Sequence, residues 1–433
     1  MSTLKLFETE YTTKEKITTL SDNKNEVSWI KNRRMQAFDE FKSLNYDKDN
    51  LFHKYTDFRK FNPKNLMLST DGDEIYEKDL SDLKPSLIET ENGLKSMLSP
   101  ELIEKGVFFG DINDFIKLDE TMAKQIIDEV SFSENFDKLG SLSRAFAKSI
   151  ILLYMPKNVI IDEPLVKLSM LKSKEIAHYS EFIIYLSEGS QINLIELFEN
   201  FEPNESEQLY SGIQSIFVGE NASLKVMQIQ NWSKKTVHIS AKFAKLNRYG
   251  KYKSAIQQQG GDITRYNSNV DLYGQGSEGY DLFISFGNNS QRYDVKSELH
   301  HNARDTIGQT HARQVMMDKS ESVLRGMIVI AKPGVNADSW LTSQGMTIGK
   351  GKVIAIPALK IDQNDVKAAH AASVEPLDES QLFYLQSRGI PLTQSKEMLI
   401  KGYFEYIFKT IENSKMSDVA REYLSHKWDV VSQ

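Results

Sequence analysis

The chain has 433 residues, 40% apolar residues and a net charge of −7 with both signs intermixed. That apolar content suffices for a sizeable core, and the mixed charge argues against a general nucleic-acid-binding surface. The absence of cysteine excludes disulfides, zinc–thiolate centres, cysteine nucleophiles and the usual protein ligands of iron–sulfur clusters.

The N-terminal third is predicted to be a helical domain, residues 1–155. Val27, Ile30 and Phe38 recur at helical spacing, and the Lys31-Asn-Arg-Arg segment among them is interpreted as a solvent-exposed helix face. A second helical block begins at Asp111, and a further helix is predicted from about 134 to 154, where Pro156 ends it.

Residues 156–373 read as short strands separated by polar turns. Eight segments share this turn composition: Ser187-Glu-Gly-Ser, Gly219-Glu-Asn-Ala, Arg248-Tyr-Gly, Gly274-Gln-Gly-Ser, Gly287-Asn-Asn-Ser, Asp318-Lys-Ser-Glu, Pro333-Gly-Val-Asn and Gly349-Lys-Gly-Lys. Their starts are 32, 29, 26, 13, 31, 15 and 16 residues apart. A unit of roughly fifteen residues or its double is typical of repeat architectures. This pattern favours a β-solenoid, most simply a parallel β-helix; an ordinary β-sandwich is the alternative.

Residues 374–433 are predicted to form a C-terminal helical domain. Asp378 is placed to cap a helix over 379–386, and Gly389 lies where a terminating glycine belongs. Thr393 is the predicted cap of a second helix, and a last short helix is expected over 417–424. The terminal helices would cover the exposed ends of the solenoid.

Four histidines are candidate ligands. His300 and His301 are adjacent on a predicted strand and therefore point to opposite faces, although His311 could approach one of them from a neighbouring coil. His370 is flanked by alanines, which leave its imidazole uncrowded, as at an interface, a ligand site or an ordinary turn. The chain has no phosphate-binding glycine loop, no G-x-S-x-G and no H-E-x-x-H motif.

The N-terminus has no apolar stretch after a basic start, so no signal peptide is expected. The best apolar run, Ile150-Ile-Leu-Leu-Tyr-Met, is far below the ~20 residues that a membrane span needs. A cytoplasmic protein is therefore the expectation.

Several segments carry a resemblance to the SufB/SufD family. The specific ones are Asp365-Val-Lys-Ala-Ala-His-Ala-Ala-Ser and Leu377-Asp-Glu-Ser-Gln-Leu-Phe-Tyr-Leu-Gln-Ser-Arg-Gly-Ile. Gly219-Glu-Asn-Ala-Ser-Leu, Gln230-Asn-Trp-Ser, Ala303-Arg-Asp-Thr and Ser322-Val-Leu-Arg-Gly-Met-Ile-Val-Ile fit the same family. The resemblance covers about 157–412.

The resemblance implies a right-handed parallel β-helix with a helical domain at each end. It also implies a non-catalytic scaffold of iron–sulfur cluster assembly, which pairs with a SufB-like partner through the β-helix and binds a SufC-type ABC ATPase through the C-terminal helices. SufB-like members carry a cysteine in the strand that here reads Leu341-Thr-Ser-Gln-Gly-Met and a glutamate where Ala371 stands. The chain therefore resembles SufD-like members.

Two sites follow from the resemblance. His370 is the candidate interface ligand for a transient iron or iron–sulfur cluster, and no cofactor is expected to bind stably to the chain alone. The predicted ATPase-binding residues share the C-terminal helices: Arg388, Gly389, Met398, Leu399, Tyr403 and Tyr406. The alternatives left open are a β-helix carbohydrate-active enzyme and a self-pairing homodimer without cluster chemistry.

Overall fold

The computed structural model describes residues 7–44, 58, 61–70, 72, 75–78, 80, 83–131 and 138–432. Within them the chain winds into a parallel β-solenoid with helices before and after it, so the predicted β-solenoid is confirmed and the sandwich alternative is wrong. Strands alternate between two sheets, and each coil adds one strand to each sheet. None of the described helices is long and apolar enough to cross a bilayer.

The described strands form two sheets of ten, with the orders β19-β17-β15-β13-β11-β9-β7-β5-β4 (β1 also pairs with β7) and β20-β18-β16-β14-β12-β10-β8-β6-β2-β3. Their bounds are β1 Met67–Leu68, β2 Leu87–Thr90, β3 Gly93–Ser96, β4 Phe108–Asp111, β5 Ile150–Met155, β6 Ile160–Leu171, β7 Ile176–Leu186, β8 Gln191–Asn200, β9 Gln208–Val218, β10 Ser223–Asn231, β11 Thr236–Leu246, β12 Lys251–Gln258, β13 Ile263–Leu272, β14 Glu278–Gly287, β15 Arg292–His301, β16 Ile307–Met316, β17 Glu321–Ile330, β18 Ala337–Thr347, β19 Lys352–Ile361 and β20 Val366–Pro376.

The described helices lie before and after these coils. They are α1 Lys14–Asn23, α2 Ser28–Ser43, α3 Pro100–Glu104, α4 Ile112–Leu118, α5 Glu120–Glu129, α6 Lys138–Phe146, α7 Glu379–Ser387, α8 Leu392–Thr410 and α9 Ser414–Val431, with a 3-10 turn at Pro63–Asn65. Helix α6 packs on the outer face of the first sheet, and α8 and α9 pack on the outer face of the second.

Each of the eight turns marked in the sequence contains a residue in the left-handed backbone region, for example Gly189 (φ 69°) and Asn221 (φ 54°). Glycine and asparagine tolerate this region best, so these corners turn the chain from one sheet to the other. Ser223 pairs with Gln191 in the preceding coil and with Lys251 in the next, which are 32 and 28 residues away. The unit of roughly fifteen is therefore one strand with its turn, and the doubled unit is one coil.

Ionised side chains are buried between the two sheets. Lys167 Nζ lies 2.5 Å from Glu89 Oε2, and Lys242 Nζ lies 2.8 Å from Asp281 Oδ1. All four side chains are buried, and charges removed from water persist only when they are paired and hydrogen-bonded. The alternation of side chains along a strand predicts which residues face inward. It does not predict which inward-facing charged residues of neighbouring coils form pairs.

The predicted helix over 134–154 is wrong in its second half. The structure has α6 at Lys138–Phe146 and then β5, whose run of apolar residues is buried and pairs in parallel with β7. Periodicity alone does not distinguish a fully buried strand from a buried helix. Residues 132–137 lie outside the described part. The domain bounds stay a prediction. Strand β5 belongs to the first sheet, although it lies within the predicted helical domain, residues 1–155.

The interpretation of Lys31-Asn-Arg-Arg as a solvated face is also wrong. Arg34 is fully buried, pairs with Glu26 at 2.7 Å and donates to the Ala147 carbonyl. Arg33 reaches Glu181 on β7 at 2.5 Å. These arginines attach α2 to the solenoid, and a basic run in the sequence does not show the carboxylates that the fold brings to it.

The C-terminal helices follow the sequence prediction with two corrections. Asp378 caps α7 by accepting from the Ser380 and Gln381 backbone N–H groups, and Gly389 (φ 85°) ends it. Pro391, not Thr393, is the N-cap of α8, which therefore begins at Leu392. Helix α9 extends from 414 to 431, well beyond the predicted 417–424, because apolar residues out to Trp428 pack on the second sheet.

Candidate functional site

The two ends of the solenoid differ. At the N-terminal end β4 and β3 pair antiparallel with β5 and β2, so parallel stacking stops there. At the C-terminal end β19 and β20 are the outermost strands of their sheets and pair on one side only, within the described chain. We name this pair of strands the open end. A long unpaired edge presents a row of backbone donors and acceptors to another chain.

Apolar side chains of β19 are exposed at the open end, although the residues in register with them on β17, one coil earlier, are buried. Ile328 and Ile330 of β17 are 0% exposed, whereas their register partners on β19, Leu359 and Ile361, are 37% and 41% exposed. On β20, Val374 is 45% exposed. One further coil stacked here would bury these side chains as the preceding coils are buried.

His370 lies on β20 at the open end, with its side chain exposed. Its register partner is Leu341 of β18, which is followed by Thr310 of β16 and Asp281 of β14. Residues in register on parallel strands share a face, so His370 ends a row that runs between the two sheets. Ala369 and Ala371 flank it and leave the imidazole accessible from beyond the last coil.

The other candidate histidines are not brought together. Among the described residues, no three histidine, aspartate or glutamate side chains gather closely enough to hold a metal ion. His301 is fully buried, within 2.8 Å of Thr306 Oγ1, and burial lowers its pKa to about 4. His300 faces outward near Glu298, and His311 lies on the outer face of β16 beside Tyr406.

None of the residues of helix α7 is buried. Phe383 is 73% exposed and Tyr384 is 57% exposed. Met398 on α8 is 48% exposed. Arg388 and Gly389 form the C-terminal corner of α7, and the Arg388 guanidinium lies 5.3 Å from the centre of the Tyr384 ring. A short helix that presents two aromatic rings to water is typical of a partner-binding element.

A groove of about 410 Å³ lies between the start of α7, helix α8 and the ends of β18 and β20. Met398, Leu399 and Tyr403 line it. The Arg313 guanidinium lies 4.9 Å from the centre of the Tyr403 ring and 5.3 Å from that of Tyr406, at the side of the groove. Burial raises the pKa of Tyr403 to about 12, although Arg313 opposes that change. Tyr403 is therefore neutral, and both rings hold the guanidinium by cation–π contact.

The structure thus brings four of the six predicted partner-binding residues to the groove or its edge, and it places Arg388 and Gly389 at the α7 corner outside it. Sequence reasoning missed Phe383, Tyr384 and Arg313. Adjacent aromatic residues in a short helix were a visible signal for the first two. Nothing local marked Arg313, because its aromatic neighbours are about ninety residues away in the chain.

Comparison with known proteins gives two family matches. The SufBD core domain of the SUF system for FeS cluster assembly matches residues 169–403, and the SufBD N-terminal region matches residues 4–166. The N-terminal third therefore shares the family's sequence, which extends the resemblance beyond the 157–412 read from motifs.

Individual relatives agree with this. The iron–sulfur cluster assembly protein SufD of Bacillus subtilis is 27% identical over 90% of this chain and 92% of its own length. SufBD family proteins of iron–sulfur cluster assembly from Staphylococcus saprophyticus and Staphylococcus aureus are 25% and 24% identical over 72% of this chain and 67% of theirs. Together with the solenoid and the motif around His370, these matches confirm the SufD-like prediction: the chain belongs to the SufB/SufD family of SUF iron–sulfur cluster assembly proteins.

Proposed function

We propose that this protein is a non-catalytic scaffold subunit of SUF cluster assembly. It pairs through the open end of the solenoid with a SufB-like partner and binds a SufC-type ATPase through α7 and α8. The observation that carries the proposal is the difference between the two ends: antiparallel strands terminate one, and two unpaired edges with exposed apolar residues form the other.

End-to-end pairing suits the open end. A partner solenoid with a similar end adds strands to both sheets at once, which satisfies the edge groups and covers Leu359, Ile361 and Val374. A second copy of this chain offers the same surface and would pair about a two-fold axis. The SufD-like sequence favours a SufB-like partner, and a homodimer is the outcome that would replace it.

ATPase binding suits the surface formed by α7 and α8. Phe383, Tyr384 and Met398 are exposed apolar groups beside a groove, and aromatic residues and methionine are enriched at protein interfaces. Arg388, at the C-terminal end of α7, supplies a positive charge at the edge of this surface. The chain has no phosphate-binding loop of its own, so ATP hydrolysis belongs to the partner.

His370 contributes to iron or cluster handling as an interface ligand. Neutral imidazole is a suitable ligand for iron, and among the described residues His370 belongs to no group of three or more histidine, aspartate or glutamate side chains that could hold a metal ion. The iron or cluster is cargo, and its other ligands come from the partner, whose family members carry a cysteine where this chain has none. Isolated protein is therefore expected to be colourless and to lack stoichiometric sulfide.

The carboxylates buried inside the solenoid give the carbohydrate-active alternative no support. Glycoside hydrolysis needs two carboxyl groups that reach one substrate bond. Glu89, Glu196 and Asp281 are at most 1% exposed and face the interior of the solenoid, where no polysaccharide reaches them. We therefore keep the scaffold function alone.

Co-expression tests the proposal. Affinity purification of this chain with a SufB-like paralogue and a SufC-type ATPase should yield all three proteins in one complex on gel filtration. Recovery of this chain alone, with both other proteins in separate fractions, would contradict it. Recovery only as a dimer of itself would replace the heteromeric scaffold with a self-pairing one.

A further inference from the structure

A groove of about 470 Å³ lies between α1 and β1, beside the first sheet. Its walls come from α1, the 3-10 turn and β1, together with residues at the start of the described chain and Lys148 from the segment before β5. It shares no lining residue with the groove beside α7 and α8. Strand β1 pairs with β7, and β9, β11, β13, β15 and β17 separate β7 from β19 of the open end. The groove is therefore distinct from both surfaces that are assigned to partners above.

Contacts on two sides fix the walls of this groove. The Tyr11 hydroxyl donates to the Pro63 carbonyl at 3.0 Å, which attaches the segment before α1 to the 3-10 turn. At the C-terminal end of α1, the Lys24 ammonium lies 3.4 Å from Asp111 Oδ2 and 3.2 Å from Ser149 Oγ. A ligand would therefore enter a formed groove, and binding would not have to order these elements first.

One edge of β1 borders the groove. The Met67 N–H donates to the Glu175 carbonyl at 2.8 Å and the Ser69 N–H donates to the Ala177 carbonyl at 2.9 Å, so both N–H groups face β7. Successive residues of a strand direct their N–H and C=O groups to opposite sides, so Leu68 directs its own away from β7. Leu68 lines the groove, and β7 is the only described strand with which β1 pairs. The backbone of Leu68 is therefore available to one further strand.

The ionisable residues that line the groove are mostly lysines. Four lysines face one carboxylate: Lys16, Lys24, Lys64 and Lys148 against Glu10. The charge of Lys24 is partly compensated by Asp111. Lys16 on α1 and Lys64 in the 3-10 turn are exposed and form no ion pair with a described carboxylate. Met67 is 64% exposed beside them. The groove thus combines a strand edge, a positive charge on two walls and an exposed apolar side chain.

We propose that this groove binds an acidic, extended peptide segment of a partner protein, which adds as a strand to the edge of β1. The peptide backbone pairs with Leu68, and the carboxylates of the peptide lie near Lys16 and Lys64. The charge of the groove selects an acidic segment over a basic one. The strand edge selects a peptide over a nucleic acid, whose backbone has acceptors but no N–H donors. This surface is additional to the proposed scaffold function and does not depend on it.

Fluorescence anisotropy on the full chain tests this with a labelled peptide in which glutamate and valine alternate. We expect this peptide to bind, and added salt to weaken binding. A peptide with lysine for glutamate should not bind, and one with proline for valine, which keeps the charge but cannot add as a strand, should bind about tenfold more weakly. Lys16→Glu combined with Lys64→Glu should also cost about tenfold in affinity. The matched control is Lys319→Glu combined with Lys409→Glu, which reverses two exposed lysines outside the groove and should leave the affinity unchanged.

Amide hydrogen exchange followed by mass spectrometry locates the bound peptide. The glutamate–valine peptide should slow exchange in the fragment that contains Leu68 and leave fragments of β19 unchanged. Failure of this peptide to bind at millimolar concentration, or equal binding by the Lys16→Glu and Lys64→Glu double variant with native thermal stability, overturns the site. Equal binding of the proline-containing peptide overturns strand addition and leaves only attraction of a polyanion. Protection elsewhere in the chain without protection at Leu68 overturns the assignment to β1.

Discussion

His370 lies at the end of an interior row and yet is exposed, because no coil follows β20 within the described residues. We predict that His370→Ala leaves complex formation nearly unchanged and sharply lowers cluster formation in cells. Removing one ring outside the hot spots of a large interface costs little binding energy, whereas removing a ligand lowers retention of the metal. Co-purification yield and the activity of a cluster-dependent reporter enzyme measure the two effects separately.

The matched control is His300→Ala, which removes a partly exposed histidine from the outer face of β15. It should change neither readout. A His370→Ala variant that no longer co-purifies with its partner would show that the ring packs in the interface. One that assembles and supports normal cluster levels would exclude the ligand role.

Glu181 is a buried carboxylate that joins the first helices to the solenoid. Burial alone would raise its pKa, but Arg33 and Arg144 outweigh burial and hold the pKa at about 2. Relative to an ordinary value of 4.5, that difference corresponds to about 3 kcal/mol of folding free energy. Because the folded pKa is lowered, this contribution is present above pH 4.5 and declines as the pH falls towards 2.

We predict that Glu181→Gln lowers the free energy of unfolding at pH 7 by about 3 kcal/mol, since it leaves two arginines without their carboxylate. Urea unfolding followed by circular dichroism at pH 7 and pH 3 measures the free energy of unfolding. The difference in this free energy between the variant and the wild type should be smaller at pH 3. Glu188→Gln breaks an exposed ion pair with Lys157 and should cost less than about 1 kcal/mol. Equal losses for both variants would contradict the prediction.

Helix α7 has no buried face in this chain, so substitutions on it should act on binding and spare folding. We predict that Phe383→Asp and Met398→Asp each abolish co-purification of the ATPase without lowering the melting temperature. A charge placed in an apolar contact is desolvated without a partner. Leu118→Asp is the matched control, because Leu118 is 74% exposed but lies on α4. If the ATPase still co-purifies with both α7–α8 variants, it docks elsewhere.

Strands β19 and β20 each pair with a described strand on one side only. We predict that Leu359→Lys combined with Val374→Lys prevents pairing with a partner and leaves this chain folded and monomeric. Lysine on an edge strand opposes strand addition, and both side chains are already exposed. Light scattering on the co-expressed proteins measures it. Ile160→Lys, at an exposed position of β6, is the control, and a double variant that still pairs would rule out the open end as the interface.

The sequence predicted the helices, strands and turns better than it predicted the contacts between them. Polar corners such as Gly189 and Asn221 showed where the chain turns, because few residues adopt a positive φ. Strand β5 was misread because a run of buried apolar residues fits a helix and a strand alike. The predicted site residues His370 and Met398 proved accessible, but the open end around His370 became visible only once the coils were stacked. Arg33 and Arg313 acquire their contacts from neighbours brought close by that stacking.

At the scale of the whole molecule, the described helices and strands leave two separate surfaces exposed. The N-terminal helices cover the outer face of the first sheet, and α8 and α9 cover that of the second. The open end and the surface of α7 remain exposed in the described chain. A scaffold needs such separate surfaces, because its partners must bind at the same time.

Site-specific crosslinking tests the central claim, pairing through the open end, most directly. The chain has no cysteine, so Ala372→Cys on β20 gives it a unique thiol, which a maleimide–benzophenone reagent labels on the purified variant before the SufB-like partner is added. The account predicts a photoproduct with the mass of this chain plus the SufB-like partner from position 372. It predicts none from Lys105→Cys, an exposed position next to α3 and before β4. Crosslinking to the partner from position 105 and not from 372, or a product that contains only two copies of this chain, would contradict it.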